Sequence, residues 1–521
     1  MTVATNEPIE RLSHSPMALP ARIIPSGIAP ATWMEGAAIL IMALTAFRWA
    51  VATTTGLSDT EAYYAAWSRV LALSYYDHPP LVAWSTWLFE RLLGGGVAWV
   101  RLGPVLYAAA FDTLLYRLTA RLFSPRAGFF AVAIVAATPV FFFTAFLLNP
   151  EALLAPLWVL FLLLLLDLRD NDESWRPLAL GAAVGAAFLA KYTAILGLPV
   201  ALLVIAGSAD TRRWLRRPSL YVGALVALAV ALPVVAWNAI HHWPSLQLHL
   251  SDRMERAAGE TLGGALWRVG SAQLLYVQPL ILPALLATLG YALAHARRDA
   301  RYRFLATASL PVLAFLLTVM VRAGDSEPHW TMVGYVPLIV AAAGVLDESQ
   351  GRLRRVAHRL FRAAMAVSAL VLALYVFHLR SPALARALPS YAPAADPLTE
   401  TLGWESVSSA VAAHAYKLGP GAVAAGAHNV LCGHLQVVLD DWPAVYCPSP
   451  RRTEFDFLGR RSPPADAPVV FLDSARYPAD PTVALPGRAC GPPQEVVVDR
   501  SGLVVERYHL RDCGPRSEVT P

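Results

Sequence analysis

Apolar positions in this chain fall in unbroken blocks rather than in the one-sided stripes of soluble amphipathic helices. Between Trp33 and Phe377 the blocks alternate with short polar breaks. Many are about 20 residues long, the length at which an α-helix spans a hydrocarbon core. They predict membrane helices at 33–53, 97–119, 127–147, 152–168, 177–190, 193–208, 219–238, 272–294, 304–321, 331–346 and 361–379. The blocks at 177–190 and 193–208 are short and adjacent, which suggests a kinked or partly re-entrant pair. After about residue 380 the pattern changes. Long apolar runs give way to short β-like segments at Ala422–Ala425 and Val469–Leu472, and to a hairpin pattern, Glu495–Val498 and Leu503–Arg507, around Ser501-Gly502.

The reading is therefore an α-helical polytopic membrane protein of about 11 spans with a small C-terminal α/β domain. It divides the chain into a polar tail (1–30), a transmembrane domain (31–380) and the α/β domain (381–521). Met1–Pro30 has no continuous apolar core, so it reads as a flexible cytoplasmic tail, with Trp33–Val51 as an uncleaved signal-anchor.

Composition agrees. The chain is 56% hydrophobic and 15% charged, where soluble domains carry about 25% charged residues. Its formal charge of +5 does not call for a nucleic acid, because the arginines concentrate in the breaks. With the N-terminus inside, Arg117, Arg121 and Arg126, then Arg169 and Arg176, then Arg212, Arg213, Arg216 and Arg217 fall in cytoplasmic loops. So do Arg297, Arg298, Arg301 and Arg303, and Arg352, Arg354, Arg355, Arg359 and Arg362. That is the positive-inside distribution. It puts the loops 54–96, 239–270 and 322–330 outside, with the C-terminal domain, and predicts a bacterial inner-membrane protein whose active loops are periplasmic. All four cysteines, Cys432, Cys447, Cys490 and Cys513, lie in that domain. In an oxidising compartment they suggest two disulfides, with Cys432–Cys447 and Cys490–Cys513 as one possible pairing. A zinc site would lack a CxxC pair.

The loop after the first helix concentrates the chemistry. It reads Ser58-Asp59-Thr60-Glu61-Ala62-Tyr63-Tyr64, then Tyr75-Tyr76-Asp77-His78-Pro79-Pro80. Glycosyl transfer needs a carboxylate to take the acceptor proton and cations or dipoles to steady a leaving phosphate. A solvated amphipathic loop accounts for the same spacing about equally well. Asp59 to Trp84 resembles the first periplasmic loop of the GT-C glycosyltransferases that use polyprenyl-phosphate sugars. This group includes the protein O-mannosyltransferases and the aminoarabinose transferase of lipid A. The likeness continues through Gly181–Pro199 and Trp237–Arg253.

The resemblance implies an inverting transfer from a polyprenyl-phosphate sugar, of the undecaprenyl type, to lipid A or another envelope glycan. A protein Ser/Thr acceptor ranks behind these. The family's adjacent Asp-Glu becomes Asp59-Thr60-Glu61 here, so either Asp59 or Glu61 would be the base, with Asp59 favoured. By the same matching Asp77 takes a metal-binding position and His78 a basic position near the donor phosphate. Tyr63 and Tyr64 join that donor site, and a divalent metal on Asp77 and His249 is a possible cofactor.

Four further residues stand out. Glu151, in Asn149-Pro150-Glu151, stands where family members carry an acid close to the active loop; an ordinary helix start is the plain alternative. Lys191 is one of two lysines, the other being Lys417, in a chain that otherwise uses arginine. At a helix end an ammonium can snorkel or face a lipid phosphate. His329, in Glu327-Pro328-His329-Trp330, would lie near the site, and Arg253 could contact phosphate. Gly94-Gly95-Gly96 lacks the context of a phosphate loop, which fits a donor carried on lipid with no nucleotide. A flippase is the rival class, but it would place its polar residues at the bilayer midplane in repeated halves. Here they cluster in loops and helix ends.

Overall fold

Each apolar block becomes helix, and the computed structural model fixes the bounds. It describes residues 30–516 apart from 253–258, 325, 389 and 440–441. Residues 1–29 and Arg253 thus lie outside the described residues. The helices are α1 (Pro30–Ala52), α2 (Asp59–Trp67), α3 (Leu81–Leu93), α4 (Val97–Leu122), α5 (Pro125–Ala136), α6 (Pro139–Thr144), α7 (Pro150–Asp170), α8 (Arg176–Ala190) and α9 (Gly197–Gly207). There follow α10 (Pro218–Ile240), α11 (Leu262–Val277), α12 (Ile281–His295), α13 (Ala300–Arg322), α14 (Met332–Glu348) and α15 (Gly351–Arg380).

Among the described residues, six helices are long and apolar enough to cross a membrane, and two bent pairs raise that to eight. The sequence predicts about eleven, and the difference has local causes. The block 127–147 is broken at Pro139, whose ring removes a helical N–H, into α5 and the six-residue α6. The block 272–294 is part of a pair, α11 and α12, bent by 100°. At the bend Gln278 has a φ of 93°. Its Oε1 accepts from the N–H groups of Leu280 and Ile281, and its Nε2 donates to the Ala364 carbonyl. The side chain thus satisfies a helix start that would otherwise be left open in lipid. α8 has only 15 residues. α4 carries Arg101, Asp112, Arg117 and Arg121.

Two devices hold the helices together. Gly181 and Gly185 on α8 form a small-xxx-small face against α10. A Cβ on Gly181 would fall 1.8 Å from the Gly223 carbonyl oxygen, and one on Gly185 2.8 Å from that of Ala227. Elsewhere Arg48 of α1 donates to Asp112 of α4 at 2.6 Å, with both side chains almost fully buried. An ion pair inside a span is costly to desolvate and is kept only with good geometry.

The C-terminal region builds a six-stranded sheet in the order β2-β1-β3-β6-β4, with β5 also on β6. The strands are β1 (Val423–Gly426), β2 (Val445–Tyr446), β3 (Val469–Ser474), β4 (Arg488–Cys490), β5 (Gln494–Arg500) and β6 (Leu503–Arg516). β1 runs parallel to β2 and β3, whereas β6 is antiparallel to β3, β4 and β5. Two helices, α16 (Trp404–Leu418) and α17 (Asn429–Leu439), pack on the sheet. The expected hairpin turns at Ser501 and Gly502, both at positive φ. β2 and β4 are too short to register as patterns in the sequence. Both disulfides pair as the sequence suggests, Cys432–Cys447 and Cys490–Cys513.

Candidate active site

The acidic loop folds as a helix. Ser58-Asp59-Thr60-Glu61 is a capping box, and Glu61 Oε2 accepts from the Ser58 N–H at 3.0 Å and from its hydroxyl at 3.0 Å. That places Glu61 in the first turn of α2, where it meets Arg101 of α4. Arg101 Nε donates to Oε1 at 2.8 Å and Nη2 to Oε2 at 2.6 Å, and the Leu148 N–H donates to Oε1 at 2.8 Å. Burial pushes the Glu61 carboxyl up, but the guanidinium and the hydrogen bonds outweigh it and hold the group below its ordinary value. Both oxygens are occupied, and the side chain is 1% exposed.

Asp59 stands at the start of the same helix and turns to the C-terminal domain. Tyr477 O–H donates to Oδ2 at 2.8 Å, His434 Nε2 lies 3.1 Å from Oδ1, and Arg476 Nη1 is 3.7 Å from Oδ2. Burial holds His434 below its usual pKa, against the pull of Asp59. Close packing makes this possible: a Cβ on Gly433 of α17 would sit 2.8 Å from the Tyr63 main chain. Any larger residue there would push α17 off α2. His434, Arg476, Tyr477 and Arg101 have no motif that marks them in the sequence. A lone arginine in a membrane block is the one signal available, and it points to Arg101.

Glu400 completes the contact. Its Oε2 accepts from the Asp59 N–H at 3.3 Å, and its Oε1 lies 3.3 Å from Arg476 Nη1. Burial, then the charge of Asp59, pushes its carboxyl up to about 7 from an ordinary 4.5. The folded protein therefore holds this proton more tightly than the unfolded chain does. Its contribution to stability falls as pH rises from about 4.5 to about 7 and is flat above that. Thermal unfolding of Glu400→Gln followed from pH 5 to pH 8 should show a shallower loss of Tm with pH than the parent. Equal slopes would contradict the assignment.

The second half of the loop is held by Tyr63, whose O–H donates to Asp77 Oδ2 at 2.7 Å and accepts from the Glu454 N–H at 2.8 Å. Glu454 Oε2 in turn accepts from the Tyr76 N–H at 2.7 Å. Burial, then the neighbouring Asp77 and Asp456, pushes the Glu454 carboxyl well up. The Tyr64 ring packs edge-on to His78 at 5.7 Å, and His78 lies 6.1 Å from the His249 ring. His249 also meets Tyr192, at 5.2 Å between rings.

Asp77 and His249, the pair expected to share a cation, do adjoin. His249 Nε2 lies 3.0 Å from the Asp77 main-chain carbonyl oxygen. Among the described residues no three His, Cys, Asp or Glu side chains converge as a ligand set.

Glu151, Lys191 and His329 come together as one group. Glu151 starts α7, Lys191 ends α8, and His329 precedes α14. Lys191 Nζ donates to Glu151 Oε1, and His329 Nε2 lies 3.0 Å from the same oxygen. Glu151 and Lys191 are buried, while the His329 side chain is 32% exposed. Proline at the first position of α7 and the Asn149 side-chain cap on the Ala152 N–H set where Glu151 sits. Glu61 links this group to the loop, since Leu148, which it holds, directly precedes Asn149.

A family model described as dolichyl-phosphate-mannose-protein mannosyltransferase matches residues 77–237. Over 309 residues the chain is 28% identical to lipid A galacturonosyltransferase RgtD of Rhizobium johnstonii. That match covers 55% of this chain and 60% of the relative, so it spans less than two thirds of the relative's length. The crystal structure of ArnT from Cupriavidus metallidurans bound to undecaprenyl phosphate superimposes with a TM-score of 0.60 at 18% identity, covering 94% of this chain and 99% of ArnT. Its apo form gives 0.62 at 18% identity, over 93% and 98%.

Proposed function

We propose that this chain, a multi-pass membrane protein with the GT-C fold, moves a sugar from a polyprenyl phosphate to lipid A or another envelope glycan. The transfer takes place with inversion at the outer face of the inner membrane. Asp59 is the general base: it accepts the proton of the acceptor hydroxyl as that oxygen attacks the anomeric carbon. The bond from that carbon to the phosphate oxygen breaks, and the phosphate leaves as an anion on its lipid. Lys191, with His78 and the exposed edge of His329, meets the developing charge. Glu151 keeps the ammonium in place until phosphate arrives, and Tyr64 positions His78. Glu61 is the anchor of the loop and takes no proton. The outward placement of the site rests on the arginine-rich inner loops and on the two disulfides of the adjoining domain.

The observation that carries this reading is the convergence of Glu151, Lys191 and His329 at helix ends tied, through Leu148 and Glu61, to the helix that bears Asp59. The resemblance to RgtD, a lipid A galacturonosyltransferase, favours a lipid acceptor over protein.

The test is transfer by the purified protein. It is given undecaprenyl-phosphate sugars (galacturonic acid, aminoarabinose and mannose in separate reactions) with lipid A, and in parallel with a Ser/Thr-rich peptide. Mass spectrometry should detect free undecaprenyl phosphate together with one added sugar on lipid A. A sugar added to the peptide alone would move the acceptor to protein, and no release from any donor would refute the proposal.

A further inference from the structure

The Asp59 carboxylate is seated in the part of the C-terminal domain where a sheet of this kind would take a ligand. From the C-terminal end of β1 the chain runs into α17 and returns to β2 on one side. From the parallel β3 it runs toward the β6–β4 edge on the other. In open sheets the crevice between two such strands is the ordinary ligand position. Here it receives the first turn of α2 from the membrane domain. His434, from α17 after β1, takes one oxygen of Asp59 at 3.1 Å, and Tyr477, just after β3, takes the other at 2.8 Å.

Both donors are held from behind. The His434 ring stacks flat on Trp404 at 3.8 Å, with the planes 7° apart. The Tyr477 ring stacks on His428 at 4.3 Å and 11°. Neither ring needs to move to meet the carboxylate. A carboxylate has about four acceptor positions, and the two fixed donors take one on each oxygen. A general base gains from this arrangement, because its rate depends on holding the reacting geometry closely.

We infer that the C-terminal domain is a working half of the catalytic centre, with His434 and Tyr477 as positioning residues that fix the Asp59 carboxylate for proton abstraction. This rests on the assignment of Asp59 as base in the proposed transfer. It gives the domain a role in the chemical step, distinct from recognition of either substrate.

Steady-state transfer by the full-length protein tests it, with Asp59→Asn, Tyr477→Phe, His434→Leu and His434→Gln compared. Tyr477→Phe keeps the stack and loses only the hydroxyl. Hydrogen bonds to a charged group are worth roughly ten- to hundredfold, so Tyr477→Phe and His434→Leu should each lower kcat by about that factor with the donor KM unchanged. Gln places an amide N–H near the position of the imidazole Nε2, so His434→Gln should recover most of the loss. If Tyr477→Phe and His434→Leu keep the parental kcat while Asp59→Asn is inactive, the inference fails and the base assignment stands. Loss of thermal stability with an unchanged kcat, or no recovery in His434→Gln, would likewise make these residues merely structural. An active Asp59→Asn would remove the base assignment, and the inference with it.

Discussion

Asp59→Asn should lose turnover by a factor of about 10² to 10⁴, the range associated with a positioned general base, while remaining folded and able to bind donor. The change is nearly isosteric. Asn keeps one oxygen that can accept from Tyr477 or His434, so the seat in the C-terminal domain is only partly disturbed. What it cannot do is accept the acceptor's proton. Glu61→Gln should behave differently. Glu61 accepts from Arg101, Ser58 and Leu148 at once, and an amide presents an N–H to one of those donors. Its loss of activity should therefore track its loss of folded protein, whereas that of Asp59→Asn should not. Single-turnover rates per folded molecule separate the two. A Glu61→Gln protein that is stable yet inactive, beside an active Asp59→Asn, would exchange their roles.

The sequence distinguishes these two acids less well than the structure does, for a reason visible in the residues. Ser58-x-x-Glu61 is a helix-start pattern as well as part of an acidic loop. Both descriptions are correct, and the pattern alone does not show what Glu61 meets. That partner, Arg101, lies 40 residues away in sequence. The groups that hold Asp59 lie further still, with His434 at a separation of 375 residues and Tyr477 at 418. No periodicity reports contacts of that range.

The membrane helices are legible because a bilayer requires runs of a given length, and because arginines mark the inner loops. Breaks inside the runs are harder to see. Pro139 was available as a signal, but the turn at Gln278 depends on a side chain substituting for backbone partners. Glu151, Lys191 and His329 were each visible as an unusual residue at a helix end. Their convergence on a single carboxylate oxygen belongs to the packing of α7, α8 and α14.

The largest stability effect should come from Arg101. Removing one partner of a buried ion pair leaves the other charged and desolvated, at a cost of roughly 3–5 kcal/mol. Arg101→Leu should therefore lower the unfolding temperature sharply in detergent, since Glu61 would keep its burial and lose its cation. Arg101→Lys should rescue little. The guanidinium does more than neutralise Glu61: Nη1 donates to the Ala52 carbonyl at 3.0 Å, the Thr55 carbonyl at 3.1 Å and the Thr55 hydroxyl at 2.9 Å, and Nη2 to the Gly56 carbonyl at 2.7 Å. It thereby closes the C-terminal end of α1, whose last carbonyls have no helical partner, and fixes the path from α1 into α2. A lysine brings one point of charge and cannot span that set. The double variant Arg101→Leu with Glu61→Leu removes both charges, and should regain part of the stability lost in Arg101→Leu. It should not regain activity, because the open carbonyls at Ala52, Thr55 and Gly56 would no longer hold α2, and with it Asp59, against the C-terminal domain. A double variant as active as the parent would mean that the pair does not set the position of the loop.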